Sequence, residues 1–263
     1  MKMHRMRCFG RTKESGNAAL VVEESMWNEA ERLKFAHRQE ANATVFVDMN
    51  DAGDTQLDYY YPHARSSLCL HATLAASAVI FERRPDTRHL RFVTSMHRQV
   101  LEIDRDDNGI FVSVMPQACP RSAVDVVETV EFLRADPRAL LSIRGPVSIG
   151  SPKLLVEVGS ESVLNALRPN LKGIANWSRE HGISGIYAYC HLRESIYAGR
   201  NFNHLDPQFE DAATGVAAGA LALALERSIT LLQGDLLGHP CTLLARYTDA
   251  AVQIGGRAVR NSI

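Results

Sequence analysis

The chain has 263 residues, of which 46% are hydrophobic and 22% are charged, and its formal net charge at pH 7 is −1. This length allows one large domain or two small ones with a core each. The balanced charge gives no basic excess for nucleic acid and no acidic interaction tail, so we expect no nucleic-acid partner.

The first half of the chain alternates between strand and helix patterns. Segment 25–41 has the apolar spacing of an amphipathic helix, with Ser25 as its candidate N-cap. Segment 66–81 is small and apolar almost throughout, with His71 near its start, which predicts a buried helix. Period-two or short apolar runs predict strands at 17–22, 44–49, 55–62, 89–96, 98–104 and 110–116.

The second half repeats this style after a connector at 117–124. Helices are predicted at 124–135, 162–170 and 209–228, and strands at 146–150, 153–158, 182–192 and 242–256. Segments 71–78 and 212–220 share Ala-Thr followed by small residues. Their likeness suggests an internal duplication with one central helix in each half, although two alanine-rich core helices can also resemble each other by chance.

The five cysteines are widely spaced and form no Cys-x-x-Cys pair. This spacing predicts neither a metal site nor a disulfide framework. No segment approaches about 18 uninterrupted apolar residues, and the N-terminal segment makes a poor signal peptide. We therefore expect a cytoplasmic protein without a membrane partner.

Two acidic residues, Glu210 and Asp211, directly precede the second small-residue helix. They suit helix capping, because negative charge is favourable at a helix N-terminus. They also suit a site in which a substrate carboxylate binds the first backbone N–H groups of the helix while Asp211 transfers a proton. The residues alone leave both interpretations open.

His71 allows a similar pair of interpretations at the first small-residue helix. A lone histidine beside an apolar segment is more often a satisfied core residue than a catalyst. It also stands at a helix start, with Cys69 two residues before it. Two facing helix N-termini, each with a proton-transfer group, would suit proton transfer on carbon.

Seven segments along the chain carry a further signal. They resemble the phenazine-biosynthesis isomerase family, whose members are related to diaminopimelate epimerase. The Glu-Asp-x-Ala-Thr-Gly segment and the Gln-Gly segment that follows it are the most specific. The segments are SGNAALVV (15–22), NATVFV (42–47), LCLHATLAA (68–76), SIGSPKLLVEV (148–158), GRNFNHLDPQFEDAATGVAAGAL (199–221), LLQGDLLGHPCTLLAR (231–246) and VQIGGRAV (252–259).

The resemblance implies an α+β fold of two pseudo-symmetric domains, each an antiparallel sheet or barrel around a central helix. We place the domains at 1–119 and 120–263, and the C-terminal strand can return to the first domain. The resemblance also implies a homodimer and cofactor-free proton transfer on a small carboxylic acid in the cleft between the domains. The implied catalytic residues are Asp211 and His71, and the implied substrate-binding residues are Asn17, Asn42, Ala43, Cys69, Thr73, Ala213, Thr214 and Gly215.

The chain departs from the family pattern at the proton-moving glutamate, where Ala43 stands instead. Glu40 and Glu210 are candidate replacements, and the sequence does not choose between them. A two-thiol mechanism is excluded because no cysteine lies at the head of the second helix. We predict altered chemistry in a biosynthetic pathway, such as isomerisation, tautomerisation, elimination or cyclisation. The alternative is an inactive homologue that binds a small acid or a partner.

Overall fold

The computed structural model describes residues 1–120, 125–203, 210–249 and 251–261. The chain divides into two units. Unit 1 is formed by Met1–Val114 together with Gly255–Ile263, and unit 2 by Met115–Ile254. The domain boundary at 119/120 stays a prediction, and the return of the C-terminal segment to unit 1 was left open by the sequence.

Unit 1 is a sheet that packs around one long helix, α2. This helix contacts β1, β2, β3, β8 and β16. The strand order is β16-β1-β2-β3-β4-β6-β7-β8, and β5 pairs with β4. The elements are β1 (Lys2–Cys8), β2 (Asn17–Glu23), α1 (Glu29–Ala36), β3 (Ala43–Met49), β4 (Thr55–Tyr60), β5 (Arg65–Ser66), α2 (Leu70–Arg83), β6 (His89–Thr94), β7 (Val100–Asp106), β8 (Gly109–Val114) and β16 (Ala258–Arg260).

Unit 2 has the strand order β15-β14-β13-β12-β11-β10-β9, and its central helix α6 packs against β9, β10, β13 and β14. Two short 3-10 turns lie at Pro137–Ala139 and Asp235–Leu237. The elements are α3 (Val126–Leu133), β9 (Leu140–Val147), β10 (Lys153–Val158), α4 (Glu161–Ala166), α5 (Leu171–His181), β11 (Ile186–Arg193), β12 (Ile196–Phe202), α6 (Gly215–Leu225), β13 (Ile229–Gln233), β14 (Cys241–Tyr247) and β15 (Val252–Gly256).

The two units repeat one succession of strand pairings. From β1 to β7 the neighbours are antiparallel, parallel, antiparallel, parallel and antiparallel. From β9 to β14 the succession is the same. In both units the central helix connects the strands of the second parallel pair. The predicted α+β fold with one central helix in each half is therefore confirmed.

Parallel pairs interrupt the antiparallel sheets that the resemblance implies. Strands β2 and β3 are parallel, as are β4 and β6, and unit 2 has the equivalent pairs β10–β11 and β12–β13. A parallel pair needs a crossover connection, which is usually a helix. Helix α1, helix α2, the pair α4–α5 and helix α6 provide these four connections.

The central helices are built from small residues because they are enclosed. In α6, a Cβ atom at Gly219 would lie 2.2 Å from Cδ1 of Ile149 and 2.7 Å from Cδ1 of Ile254. Both isoleucines are fully buried, so neither can move aside easily. The predicted buried helices at both segments are thus confirmed, although α6 begins at Gly215. Residue 209, where the sequence places its start, lies outside the described residues.

Other elements differ from the sequence-based prediction. Helix α1 begins at Glu29 with Asn28 as N-cap, and Asn28 and Glu31 form a reciprocal capping box. The predicted cap at Ser25 is therefore wrong, since its hydroxyl accepts instead from the N–H of Trp27. The sequence also missed β1, α5, β12, β13 and β16. In the described part of the chain, no helix combines the length and apolar composition needed to cross a bilayer.

Candidate active site

His71 lies in the first turn of α2 and is 8% exposed. The Sγ atom of Cys69, the N-cap of α2, is 3.4 Å from its Nδ1 atom. Burial lowers the pKa of His71 to about 4. The imidazole is therefore uncharged at neutral pH, where it can accept a proton or donate a hydrogen bond but is not a cationic acid.

Cys8 links this helix start to the beginning of β2. Its thiol donates a hydrogen bond to the backbone oxygen of His71 over 3.1 Å, and in the β1–β2 ladder it pairs with Asn17. Burial, and then the neighbouring Cys69, raises the pKa of the Cys8 thiol, so it stays protonated. Asn17, which is 6% exposed, is thereby held at the same end of unit 1 as His71.

Thr73 is fully buried in α2. Its hydroxyl donates to the backbone oxygen of Cys69 over 2.9 Å and lies 2.7 Å from the hydroxyl of Tyr59. These bonds tie the N-cap of the helix to strand β4. Its predicted contact with substrate stays a prediction.

Ala43 is the first residue of β3, where it pairs with Ala19 of β2 and is 1% exposed. The exposed Asn42 precedes it, and its Oδ1 atom accepts a hydrogen bond from the N–H of Ala18 over 2.8 Å. The position that the resemblance gives to a glutamate is therefore a buried methyl group. It has no atom that can carry a proton.

Asp211 lies in the loop that leads into α6, in unit 2. Its Oδ2 atom accepts a hydrogen bond from the hydroxyl of Thr214 over 2.5 Å, and its Oδ1 atom accepts one from the N–H of Ala213 over 3.4 Å. The N-cap of α6 is Thr214, not Asp211, and its side chain makes no capping hydrogen bond. The small residues Ala213 and Gly215 are buried beside this carboxylate.

Gln233, the last residue of β13, connects this loop to the interior of unit 2. Its Nε2 atom donates to the backbone oxygen of Asp211 over 2.7 Å and to Oγ1 of Thr214 over 3.2 Å. Its Oε1 atom accepts from the hydroxyl of Tyr187 over 3.0 Å. Asp211 is thus fixed through both its main chain and its carboxylate.

Lys153 brings a buried positive charge to the same unit. It is 3% exposed, and its ammonium donates a hydrogen bond to the backbone oxygen of Ser184. Burial lowers its pKa to about 8, and the negative charge of Asp211 opposes this shift. The two side chains are therefore electrostatic partners.

The acids considered as replacements for the glutamate occupy different surroundings. Glu210 forms a two-bond ion pair with Arg200, with distances of 3.0 and 2.8 Å. Glu40 is exposed in the segment that follows α1. Among the described residues, no group of three or more His, Cys, Asp or Glu side chains is arranged to hold a metal ion.

The predicted site residues thus form a group in each unit. Unit 1 holds Asn17, Asn42, Ala43, Cys69, His71 and Thr73, and unit 2 holds Asp211, Ala213, Thr214 and Gly215. Residues 204–209 of the motif before Asp211 lie outside the described residues. Sequence reasoning quoted Lys153 and Gln233 within motifs without giving them a role. The position of Lys153 inside the apolar run PKLLVEV was a signal that this lysine is buried. The sequence gave no such signal for Tyr187.

Comparison with known proteins places this geometry in a family. A family model described as phenazine biosynthesis-like protein matches residues 7–262. The chain belongs to this family. The resemblance stated from the motifs is confirmed.

Three relatives of the phenazine biosynthesis-like protein family show the extent of the likeness. An uncharacterized isomerase of Deinococcus radiodurans is 30% identical, and the match covers 92% of this chain and 87% of the length of the relative. Trans-2,3-dihydro-3-hydroxyanthranilate isomerase of Pseudomonas chlororaphis is 26% identical, covering 84% and 81%. The crystal structure of a phenazine biosynthesis protein of the PhzF family from Bacillus anthracis is 22% identical with a TM-score of 0.80, covering 100% and 98%. An isomerase-type function is thus supported at the level of the family.

Proposed function

We propose that this chain is a cofactor-independent isomerase that moves a proton on a carbon atom of a small carboxylic acid. The observation that carries the proposal is the Asp211 carboxylate, held by the Thr214 hydroxyl and the Ala213 N–H at the start of α6. A fixed carboxylate of this kind can accept a proton from carbon. His71, uncharged because it is buried, is the second proton-transfer group.

The proposed reaction needs no co-reactant. A C–H bond of the acid breaks, its proton passes to Asp211, and the electron pair stays in the conjugated system of the acid. The Asp211 carboxyl exchanges this proton with solvent and then delivers a proton to a different carbon, so that product and substrate are isomers. The neutral imidazole of His71 donates a hydrogen bond to the charge that develops on the acid.

Binding of the acid's carboxylate is assigned to the backbone N–H groups at the start of α6. Neither Cys69 nor Thr214 uses its side chain to cap its helix. Helix N-termini favour negative charge, and the neighbouring small residues leave room for a ligand. Asn17 and Asn42 are the proposed partners of its other polar groups.

Ala43 makes the chemistry differ from that of relatives that have a glutamate there. Loss of a positioned acid or base costs about 10²–10⁴ in rate. We therefore infer that the substrate has an acidified C–H bond, for which Asp211 suffices, or that the reaction is a tautomerisation, elimination or cyclisation. The second candidate is an inactive homologue that binds a small acid or a partner, which the buried methyl group at position 43 favours.

The deciding experiment measures isotope exchange in deuterated water. The protein is incubated with trans-2,3-dihydro-3-hydroxyanthranilate, the acid named in one relative, and separately with 2-amino acids, and label uptake is followed by mass spectrometry. We expect uptake that Asp211→Asn abolishes and that Asp249→Asn, an exposed control in the same unit, leaves unchanged. Thermal stabilisation by the acid without uptake supports the small-acid binder. Absence of both effects, with a macromolecular partner that co-purifies, refutes both small-molecule candidates.

We also propose that the protein is a cytoplasmic homodimer. The support for the dimer is the family resemblance, and the support for the cytoplasm is the wide spacing of the five cysteines, with no Cys-x-x-Cys pair. Light scattering coupled to size-exclusion chromatography measures the mass in solution. A mass of one chain at micromolar concentration would contradict the dimer.

A further inference from the structure

Three side chains lead by hydrogen bonds from the interior of unit 2 to Asp211. The hydroxyl of Tyr187 donates to Oε1 of Gln233 over 3.0 Å. Nε2 of Gln233 donates to Oγ1 of Thr214 over 3.2 Å, and that hydroxyl donates to Oδ2 of Asp211 over 2.5 Å. Tyr187 is fully buried and Gln233 is 1% exposed, so water does not compete for these bonds.

The chemistry of the groups decides which atom donates and which accepts in each of these hydrogen bonds. Burial, followed by the charge of Asp211, raises the pKa of Tyr187 well above its ordinary value, so the phenol keeps its proton. The amide oxygen of Gln233 only accepts, and its use by Tyr187 turns the NH₂ group toward Thr214. Because the Thr214 oxygen accepts from that NH₂ group, its own hydrogen is directed to Asp211. A carboxyl group that accepts such a bond is favoured in its ionised form.

Two glycines make this arrangement possible. A Cβ atom at Gly199 would lie 2.0 Å from the hydroxyl oxygen of Tyr187. A Cβ atom at Gly234 would lie 2.7 Å from the backbone oxygen of Ala212, and the φ of this residue is +85°. The side chain of Gln233 therefore holds the loop of Asp211 by hydrogen bonds. The next residue, Gly234, lets the two backbone segments approach closely.

We propose that Gln233 is a positioning residue which, oriented by Tyr187, fixes the Thr214 hydroxyl as a donor and so keeps Asp211 an ionised proton acceptor. This inference rests on the proposed function, in which Asp211 takes the proton. It extends the site beyond the start of α6 to strands β11 and β13. Gln233 acts through Thr214 and Asp211 and makes no contact with the reacting atoms.

Other charged groups also act on Asp211. Lys153 on β10 is its electrostatic partner and favours its ionised form. Glu210 precedes it in the chain, and Arg200 on β12 pairs with Glu210 at 2.8 Å. The test variants keep all three charges, so a change in the pKa of Asp211 reports on the hydrogen-bonded chain.

The test measures the pKa of Asp211 directly by carbon-13 NMR of protein labelled at the aspartate carboxyl carbons. The resonance is assigned as the one lost in Asp211→Asn. We expect Thr214→Val and Gln233→Leu each to raise this pKa by about one unit, a tenfold change in proton affinity. Tyr187→Phe is expected to raise it less, because Gln233 can still donate.

Two controls separate positioning from general damage. Thr214→Ser keeps the hydroxyl donor and should leave the pKa at its wild-type value. Tyr189→Phe removes another tyrosine hydroxyl from β11, one that donates to Glu157 over 3.3 Å, and should not affect Asp211. Thermal unfolding establishes that each variant is folded. Should Gln233→Leu not fold, Thr214→Val and Tyr187→Phe still decide the question.

An unchanged Asp211 pKa in folded Thr214→Val and Tyr187→Phe overturns the proposal, even if the protein is an active isomerase. A raised Asp211 pKa in the variants supports the positioning role of Gln233. If the wild type then shows no isotope exchange, the proposed function is refuted while this role stands. If exchange is observed, the acid limb of its kcat/KM profile should move to higher pH in Thr214→Val and Gln233→Leu, with kcat affected more than KM.

Discussion

His71 shows how burial sets the charge of one side chain. Its pKa is lowered from 6.5 to about 4 because the folded chain withholds water from the imidazole. For Asp211 the surroundings favour the charged form instead, since the Thr214 hydroxyl and the Ala213 N–H donate hydrogen bonds to its carboxylate. At neutral pH the residues therefore provide a neutral imidazole and a hydrogen-bonded carboxylate, the two groups to which we assign proton transfer.

This shift predicts a pH dependence of stability. Between the folded pKa of about 4 and the reference value of 6.5, the unfolded chain binds more protons at His71 than the folded chain. The stabilisation that His71 provides in its neutral form is therefore fully present above pH 6.5. It is lost as the pH falls toward about 4, which lowers the free energy of unfolding by up to about 3 kcal/mol. Urea unfolding of His71→Asn should show a smaller fall in the free energy of unfolding than wild type over this range.

The exposed His97→Asn controls for the loss of an imidazole. Parallel curves of unfolding free energy against pH for wild type and His71→Asn would contradict the prediction.

Ala43→Glu tests what the missing glutamate contributes. If the rest of the site is intact, we expect the rate of isotope exchange to rise by about 10²-fold, since a positioned acid or base supplies a factor of this order. We also expect a stability loss of about 1–3 kcal/mol, because position 43 is 1% exposed. Ala43→Gln matches the size without the proton-transfer group, and equal exchange rates in the two variants would refute the role of the carboxyl.

At the scale of elements, helix α1 shows why a cap is hard to place from sequence. Ser25 and Asn28 are both good capping residues, and both precede the apolar positions of the helix. The reciprocal bonds of Asn28 and Glu31, at 3.1 and 2.9 Å, decide the start. Ser25 instead closes a turn with Trp27.

We therefore expect Asn28→Ala to cost about 1 kcal/mol of unfolding free energy, the usual value of a lost N-cap. Ser25→Ala should cost clearly less, because its single bond to Trp27 is 3.3 Å long and lies outside the helix. Chemical denaturation measures both variants. A larger loss in Ser25→Ala would place the cap where the sequence first suggested.

At the scale of the molecule, each unit is a set of strands packed around a helix, and the end of the chain adds the outermost strand to unit 1. Strand β16 pairs with β1 through three residue pairs, and the N–H of Phe9 donates to the backbone oxygen of Arg257 over 2.8 Å. Arg260 also bonds Glu82 of α2 over 2.8 Å. The C-terminal segment therefore covers an edge that would otherwise present unpaired backbone groups.

Deleting the chain from residue 257 onward should lower the unfolding midpoint by about 5 °C, since the lost bonds contribute about 2 kcal/mol and each kcal/mol shifts Tm by roughly 2–4 °C at this size. Calorimetry measures the shift. Arg260→Ala, which removes the exposed ion pair with Glu82 and the hydrogen bond with Nδ1 of His4, should change the midpoint by about 2 °C or less. An unchanged midpoint in the deleted chain would show that β16 does not stabilise unit 1.

The sequence by itself determined the fold class, the two small-residue central helices and the family, because these depend on composition and on motifs that are local in the chain. It also singled out His71 and Asp211, since one stands in the first turn of such a helix and the other in the segment that leads into one. It did not give the charge of His71 or the partners of Asp211. Burial and hydrogen bonding depend on residues that are distant in sequence.

Only the tertiary structure showed that Gln233, Tyr187 and Lys153 lie near the loop of Asp211, because β10, β11 and β13 bring them together. The same holds for the parallel strand pairs, which arise from helical crossovers that period-two patterns do not reveal. Local sequence patterns predict which face of a helix or strand will be buried. Which groups meet across that surface is decided by strand order and register, and these are properties of the folded chain.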